Sequence, residues 1–275
     1  MKLNARHKIS VFEMLSSVLR YRNLIIQMTK REVIGRYRGS MLGIAWSFFN
    51  PLIMLAVYTI VFSTVFQARW SVGSESKTEF ALILFVGMIV HGILAEIMNH
   101  SPALMLRNVN YVKKVVFPLE ILPWVVLGST LFHACISLLV WSLFYLAVNY
   151  SLQWTIIFLP LVLIPLVMFS LGVSWALASL GVYIRDIGQM TGVLTTILLF
   201  MSPIFYPASM LPEPYQTIIY LNPLTFVIEQ ARDVLMWGKL PDWSGLVVAY
   251  IVSMLVAWAG FAWFQKTRKG FADVL

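Results

Sequence analysis

Four basic residues before the first long apolar segment have the chemistry to bind phosphate: Lys30, Arg31, Arg36 and Arg38. A guanidinium group pairs with phosphate through two parallel hydrogen bonds, and a lysine ammonium acts on it as a point charge. The sequence therefore predicts that these residues bind a phosphate or diphosphate group. Ordinary anionic lipid headgroups would bind the same residues, and both interpretations stay open.

Aromatic residues recur along the apolar segment that follows, at Trp46, Phe48, Phe49, Tyr58, Phe62 and Phe66. Sugars present C–H faces that stack on aromatic rings, so a tunnel for glycans would be lined in this way. A belt of lipid-facing rings explains the terminal ones equally well. Tyr58 lies deeper, where a buried hydroxyl needs a polar partner or water. We predict Trp46, Phe49, Tyr58 and Phe62 as channel aromatics.

The motifs of catalysis and nucleotide binding are absent from the sequence. The pair Gly238-Lys239 is followed by Leu240, so it is not a P-loop, and there is no H-E-x-x-H or C-x-x-C spacing. We therefore predict no catalytic, cofactor-binding or metal-binding residue in this chain. His91 and Glu96 are the deepest ionisable residues of the second apolar segment, and they suit either a proton relay or side chains that reach the interface.

The composition of the chain places these residues in a membrane protein. Of its 275 residues 60% are hydrophobic and 12% are charged, whereas an ordinary soluble domain is about 25% charged. A soluble fold of this length cannot hide so much apolar surface. The composition excludes a soluble enzyme, a disordered tail and a disulfide-rich secreted module.

The apolar segments predict six membrane spans, because a spanning helix needs about 20 mainly apolar residues. Two of these spans share the uncharged stretch 121–184, and we expect the turn between them at Asn149-Tyr150-Ser151. The other four are predicted at Met41–Phe66, Phe80–Asn99, Ile187–Leu211 and Trp243–Gln265.

The basic residues fix the predicted orientation. Sixteen of the 20 Lys and Arg residues fall on one side of the six spans and four on the other, and the basic side is cytoplasmic. Both termini are therefore predicted inside. Ser10–Arg20 has one apolar and one polar face, as in a helix that lies in the interface. We predict an all-α membrane protein with a basic segment over 1–40, one transmembrane domain over 41–265 and a cytoplasmic tail over 266–275.

Several segments then suggest a family. They are the run Arg36–Leu52, the run Phe117–Pro123, the segment Arg185–Gln189, and the proline-rich stretches Met201–Pro207, Leu211–Glu213 and Tyr220–Thr225. In this order the set resembles the ABC-2 type permeases that export bacterial polysaccharides, namely the O-antigen, capsule and teichoic acid transporters. The resemblance extends from about residue 20 to the C-terminus.

The resemblance implies partners and a substrate. A homodimer of this subunit would pair with two copies of a separate ATPase subunit, which would bind the ATP and Mg²⁺. The substrate would be a polysaccharide on undecaprenyl diphosphate, moved out of the cytoplasm across the bacterial inner membrane. The other expected contacts are membrane lipids, and the net charge of +8 is attributed to topology rather than to nucleic acid.

The resemblance also implies two further groups of site residues. The cytoplasmic loop with Arg107, Asn108, Asn110, Tyr111, Lys113 and Lys114 would couple to the ATPase, where Tyr111 serves as an aromatic knob; the alternative is a simple positive anchor. Short re-entrant helices between spans five and six would form an outer gate with Pro203, Phe205, Tyr206, Asn222 and Pro223; the alternative is an ordinary loop. Within this segment Glu229 and Arg232 have the spacing of an i, i+3 pair.

Other functions remain as alternatives. An ABC-2 exporter of capsule, teichoic acid or small amphipathic molecules would share this topology. A membrane-embedded glycosyl- or phosphotransferase would need more carboxylates than Asp186 and Glu96. An ion-coupled flippase is disfavoured by the scarcity of charge in the spans.

Overall fold

The computed structural model describes residues 10–65, 70, 77–113 and 117–275. Within those ranges the chain is helical and contains no β-strand, as predicted. The α-helices are α1 Val11–Arg36, α2 Trp46–Tyr58, α3 Lys77–His100, α4 Leu104–Arg107, α5 Val109–Lys113, α6 Leu122–Asn149, α7 Leu159–Tyr183, α8 Ile187–Phe200, α9 Glu213–Tyr220, α10 Pro223–Leu235, α11 Trp243–Thr267 and α12 Phe271–Val274. A π-helical stretch, Thr59–Val65, continues α2.

Five helical segments are long and apolar enough to cross a membrane: Gly43–Phe62, Thr78–His100, Leu119–Asn149, Trp154–Tyr183 and Trp243–Val274. They correspond to five of the six predicted spans. The predicted turn between the third and fourth spans is confirmed, because α6 ends at Asn149 and Tyr150 follows in the left-handed conformation with φ 60°.

The predicted fifth span is shorter than the sequence suggested. Helix α8 has 14 residues and ends at Phe200, whereas the uncharged run continues to Leu211. At about 1.5 Å per residue, α8 is roughly 21 Å long, less than the ~30 Å of a hydrocarbon core. The chain leaves the helix just before Pro203, whose ring cannot continue a regular hydrogen-bond ladder.

Helix α3 forms the centre of the bundle. Of its most hydrophobic stretch 78% is buried inside the protein, against 11% for the segment that contains α2. Helices α2, α6, α7, α8 and α10 all contact α3. Helix α2 instead exposes Leu52, Ile53, Val57 and Ile60, an apolar face suited to lipid or to another subunit.

Helices α7 and α11 approach each other closely at two glycines. A Cβ atom on Gly260 would lie 2.0 Å from the carbonyl oxygen of Gly172, and one on Gly172 would lie 2.4 Å from that of Val256. Small residues let helix backbones meet in this way, which is a common basis of helix association in membranes.

Helix α1 is longer than predicted, and a kink at Tyr21 divides it. The predicted apolar face of its first part is divided: Phe12 and Leu19 are 79% and 74% exposed, whereas Met14 is buried. Ser17, expected on the polar face, is buried, and its hydroxyl donates to the carbonyl of Met14. The exposed side chains suit the predicted position at a membrane surface.

Short helices occupy the segment between α8 and α11, as the sequence predicted. Helix α10 begins at Pro223, and the side chain of Asn222 caps it by accepting from the backbone N–H of Leu224. Proline suits the first helical turn because its missing N–H would be unpaired there anyway.

Candidate functional site

A cavity of about 300 Å³ lies where the end of α1 meets α2, α3 and α6. We call it the inner cavity, because it opens at the end of the bundle predicted to face the cytoplasm. Its polar lining comprises Arg36, Tyr37, Ser47, Asn50, Tyr58, Glu96, Thr130, His133 and Ser137. Towards the middle of the bundle the lining is apolar, with Met54, Phe85, Met88 and Ile89.

Three ionisable side chains from three helices meet in this cavity. Arg36, in the last turn of α1, forms an ion pair with Glu96 of α3. Its Nη1 is also 3.3 Å from Nδ1 of His133 on α6. The ring of Tyr37 stands edge-on to that of His133, with centroids 5.9 Å apart. A phosphate that binds Arg36, as predicted, would therefore compete with the carboxylate of Glu96.

The inner cavity also contains polar groups without a partner in the protein. The hydroxyl of Thr130 and Nε2 of His133 are buried and form no hydrogen bond, and Thr130 is 2% exposed. Buried polar groups are normally paired with protein or water. These two atoms can therefore bond to a ligand or to water.

The four basic residues predicted to bind phosphate do not converge on one point. Arg36 lies at the inner cavity, whereas the guanidinium of Arg31 donates to the hydroxyl of Tyr111, at 3.4 Å from each terminal nitrogen. Lys30 and Arg38 are exposed. Arg31 also lines a separate cavity of about 190 Å³, so the structure places the four basic residues in different surroundings.

The predicted channel aromatics fall into two groups. Tyr58 lines the inner cavity, 6.3 Å from the ring of Phe85, and Phe62 stacks between Phe80 and Phe205 at 5.5 and 6.1 Å. Phe49 is 40% exposed on the outside of α2, and Trp46 is half-buried. Phe66 lies outside the described residues.

The predicted gate residues contact the end of α8 and the aromatic stack around Phe62. Phe205 stacks on Phe62 and, at 5.8 Å, on Phe200. The hydroxyl of Tyr206 donates to the carbonyl of Phe200 at 2.8 Å. Asn222, which precedes Pro223, donates to the hydroxyl of Ser202 at 2.9 Å, beside Pro203. These bonds tie the chain after α8 to the start of α10.

The spacing in the sequence suggested a pair between Arg232 and Glu229, but the hydrogen bonds of Arg232 go elsewhere. Its side chain is 1% exposed. The guanidinium donates to three carbonyls, those of Ile83 on α3 and of Pro203 and Ile204 in the gate segment. An arginine on a helix otherwise rich in buried apolar residues was the available signal, because such a charge needs several partners when buried.

Comparison with known proteins adds the family. The family model described as ABC-2 type transporter matches residues 23–236. The chain belongs to the ABC-2 type transporter family. The O-antigen export system permease protein RfbA of Myxococcus xanthus is 26% identical, covering 96% of this chain and 99% of that protein. A protein of the same name from Klebsiella pneumoniae is 28% identical over 92% of this chain and 95% of its own length.

A relative named for another function covers less of the chain. The polysialic acid transport protein KpsM of Escherichia coli is 23% identical to this ABC-2 type transporter, over 87% of this chain and 91% of its own length. The relatives thus include proteins named for two kinds of bacterial surface polysaccharide.

The predicted coupling segment of this ABC-2 type transporter comprises α4 and α5. Arg107, Asn110 and Lys113 are exposed. The side chain of Asn108 instead donates to the carbonyl of Leu104 at 2.9 Å, and Tyr111 stacks on Phe117 with centroids 4.4 Å apart. Tyr111 therefore stabilises the segment from within, while the charged residues face outward. Lys114 lies outside the described residues.

Proposed function

We propose that this chain is the membrane-spanning permease subunit of an ATP-driven exporter that moves an undecaprenyl-diphosphate-linked, O-antigen-like polysaccharide out of the cytoplasm. Its similarity to the two O-antigen export permeases over nearly the full length of all three chains carries the proposal. The chain is a multi-pass protein of the bacterial inner membrane, with five helical segments of spanning length and composition.

The inner cavity supports a role in substrate uptake. Its polar end offers Arg36, the unpaired hydroxyl of Thr130 and the amide of Asn50 to a phosphate or a sugar. The apolar lining and the ring of Tyr58 suit an isoprenoid chain or the C–H face of a sugar. Phosphate would have to displace Glu96 from Arg36 before it binds.

We propose a topology in which α8 and the gate segment together make the sixth crossing. Broken and short helices at membrane depth are tolerated where protein or a water-filled cavity covers them. The network of Arg232, Asn222 and Tyr206 satisfies backbone carbonyls in that stretch. With both termini cytoplasmic, 1–40 forms the basic inner segment, 41–265 the transmembrane domain and 266–275 the tail.

The energy for transport would come from a separate ATPase. The sequence contains no P-loop, so ATP and Mg²⁺ would bind to two copies of a partner subunit, docked against Arg107, Asn110 and Lys113. Homodimerisation would cover the apolar faces that α2 and α8 expose, including Val57, Ile60, Val193 and Ile197.

The test is complementation in a strain that lacks its own copy of this permease. The full chain should restore polysaccharide at the cell surface and co-purify with an ATPase subunit. A P-loop lysine substitution in that ATPase should abolish surface polysaccharide without changing permease abundance. If surface polysaccharide is normal in the deletion strain, or is restored without any ATPase, the proposal is wrong.

Capsule export is the second candidate, because the polysialic acid transport protein covers 87% of this chain. The two functions differ in the anchor of the exported glycan. Analysis of the lipid attached to polysaccharide that accumulates in the deletion strain distinguishes them: undecaprenyl diphosphate supports the first, and any other anchor supports the second.

A further inference from the structure

A second cavity, of about 210 Å³, lies at the opposite end of the bundle from the inner cavity. We call it the outer cavity and define it by three aromatic and two acidic residues: Trp70, Tyr220, Trp237, Glu229 and Asp233. None of the five belongs to the predicted channel, gate or coupling residues. Four come from the segment between α8 and α11, and Trp70 comes from the loop after the first span.

The two carboxylates of the outer cavity lie one turn apart on α10. Glu229 and Asp233 are four residues apart, so both face the same side of the helix. Like charges at this spacing destabilise a helix. Burial raises the pKa of Glu229, while the hydrogen bond from Tyr220 and the charge of Arg232 act against this rise. Helix stability therefore does not explain why both acids line this cavity.

The nearby cations are already engaged. The Nζ atom of Lys239 is 3.5 Å from a carboxylate oxygen of Asp233. The guanidinium of Arg232 lies 4.4 Å from the ring centroid of Trp70, while its N–H groups donate to backbone carbonyls. The formal charges of Glu229, Asp233, Lys239 and Arg232 cancel. Because both cations are bonded to protein groups, a ligand meets carboxylate oxygens and aromatic rings.

These groups match the chemistry of an uncharged sugar. Aromatic rings stack on the C–H face of a sugar ring, and carboxylates accept hydrogen bonds from its hydroxyl groups. Glu229 accepts a hydrogen bond from the hydroxyl of Tyr220 at 3.4 Å, and its carboxylate can accept more than one. An acidic sugar or a phosphate would instead face two carboxylates. The volume, about seven waters at ~30 Å³ each, suits one sugar ring rather than a chain segment.

We propose that the outer cavity is a binding subsite for a single uncharged sugar unit of the exported glycan. The ligand class rests on the proposed function, whereas the preference for an uncharged over an acidic sugar rests on the cavity alone. The sugar ring stacks on Trp237, and its hydroxyl groups donate to Glu229 and Asp233. Trp237 is 39% exposed. The Nζ atom of Lys239 lies 5.5 Å from the centroid of its ring, so the ligand stacks on the part of the ring that Lys239 leaves open.

The test uses the full chain in lipid nanodiscs and two matched probes, methyl glucoside and methyl glucuronide. Saturation-transfer NMR should show transfer to the glucoside and little to the glucuronide. Trp237→Ala should weaken glucoside binding by roughly tenfold, the size of a lost stacking contact. Trp154→Ala is the control, because Trp154 is 61% exposed at the same end of the bundle but lies outside the cavity.

A second variant covers the case in which Trp237→Ala fails to fold. Glu229→Gln keeps the shape of the side chain and should weaken glucoside binding and reduce the preference over the glucuronide. Equal transfer to both probes, or unchanged glucoside binding in both variants, would overturn the proposal.

Failure of this proposal is distinguishable from failure of the proposed function. If the wild-type chain restores surface polysaccharide but shows no transfer to the glucoside, the subsite is wrong and the exporter stands. If it binds the glucoside with the expected variant pattern but does not restore polysaccharide, the subsite stands and the exporter is wrong.

Discussion

The inner and outer cavities each contain an arginine, and they use it differently. Arg36 keeps 34% of its side chain exposed and pairs with one carboxylate at the rim of the inner cavity. Arg232 is 1% exposed beside the outer cavity, and three backbone carbonyls accept its hydrogen bonds. The first arrangement leaves a cation that a ligand can reach, and the second makes the cation part of the fold.

This difference separates ligand binding from structural support. An exposed ion pair contributes little to stability, typically below ~1 kcal/mol, so a ligand can displace Glu96 from Arg36 at small cost. A buried donor with several acceptors is expensive to remove, because each acceptor is left unpaired. We therefore expect substitutions at the two arginines to affect different properties.

The largest effect is expected for Arg232→Met. It would leave the carbonyls of Ile83, Pro203 and Ile204 without their donor and should cost about 3 kcal/mol or more. Thermal unfolding in detergent should show this loss, and the chain should be less abundant in membranes. The stability of Arg232→Lys, which keeps the charge but not all three bonds, should lie between that of the wild type and that of Arg232→Met. If Arg232→Met were as stable as the wild type, Arg232 would contribute as little to stability as we expect of Arg36.

The next effect is expected for Phe62→Ala. Phe62 stacks on Phe80 and Phe205, and each aromatic pair adds about 0.5–1.5 kcal/mol beyond burial. We expect a loss of roughly 2 kcal/mol together with impaired export, because the gate segment loses its contact with the first span. Phe49→Ala is the matched control at a 40% exposed ring. Equal losses for the two variants would argue against the stack.

Arg36→Gln should reduce export with little effect on folding. We expect roughly a tenfold fall in surface polysaccharide, equivalent to ~1.4 kcal/mol, with a stability change within ~1 kcal/mol. Glu96→Gln should instead strengthen phosphate binding, since it frees the guanidinium of Arg36 from its ion pair. Retention of a phosphate-headed lipid by the purified chain should rise in Glu96→Gln and fall in Arg36→Gln. Parallel changes in both variants would contradict competition between Glu96 and phosphate.

The smallest effect is expected for Thr130→Val in the inner cavity. Its hydroxyl has no partner in the protein, so removal should change the free energy of unfolding by less than about 0.5 kcal/mol. Thr225→Val is the matched control, because the Thr225 hydroxyl donates to the carbonyl of Ile219 at 2.6 Å and its loss should cost ~1 kcal/mol. Calorimetry should measure the free energy of unfolding of both variants. A larger loss for Thr130→Val than for Thr225→Val would show that the Thr130 hydroxyl is bonded within the protein.

The sequence predicted five of the spans, because the length of an apolar run reports directly on the thickness of the membrane. It located the turn at Tyr150, where a single residue determines the backbone. It overestimated the fifth span, since an uncharged run does not show where a helix stops. Pro203 was the available sign, and α8 ends three residues before it.

The candidate site was less predictable, because side-chain partners far apart in sequence decide it. Arg36 and Glu96 are 60 residues apart, and Arg232 bonds to Ile83 over 149 residues. Nothing local distinguishes Arg36 from Arg38, yet one lines a cavity and the other is exposed. The sequence identified the aromatic residues as a group, but only the structure shows that Tyr58 lines the inner cavity and that Phe49 is exposed.

Helix α3 lines the inner cavity and binds an arginine of the outer one, so it connects the two ends of the bundle. It carries Glu96 near one end, and 13 residues earlier the carbonyl of Ile83 that accepts from Arg232, a separation of roughly 20 Å along one helix. A movement of α3 that breaks the ion pair between Glu96 and Arg36 would therefore also displace the carbonyl that holds Arg232.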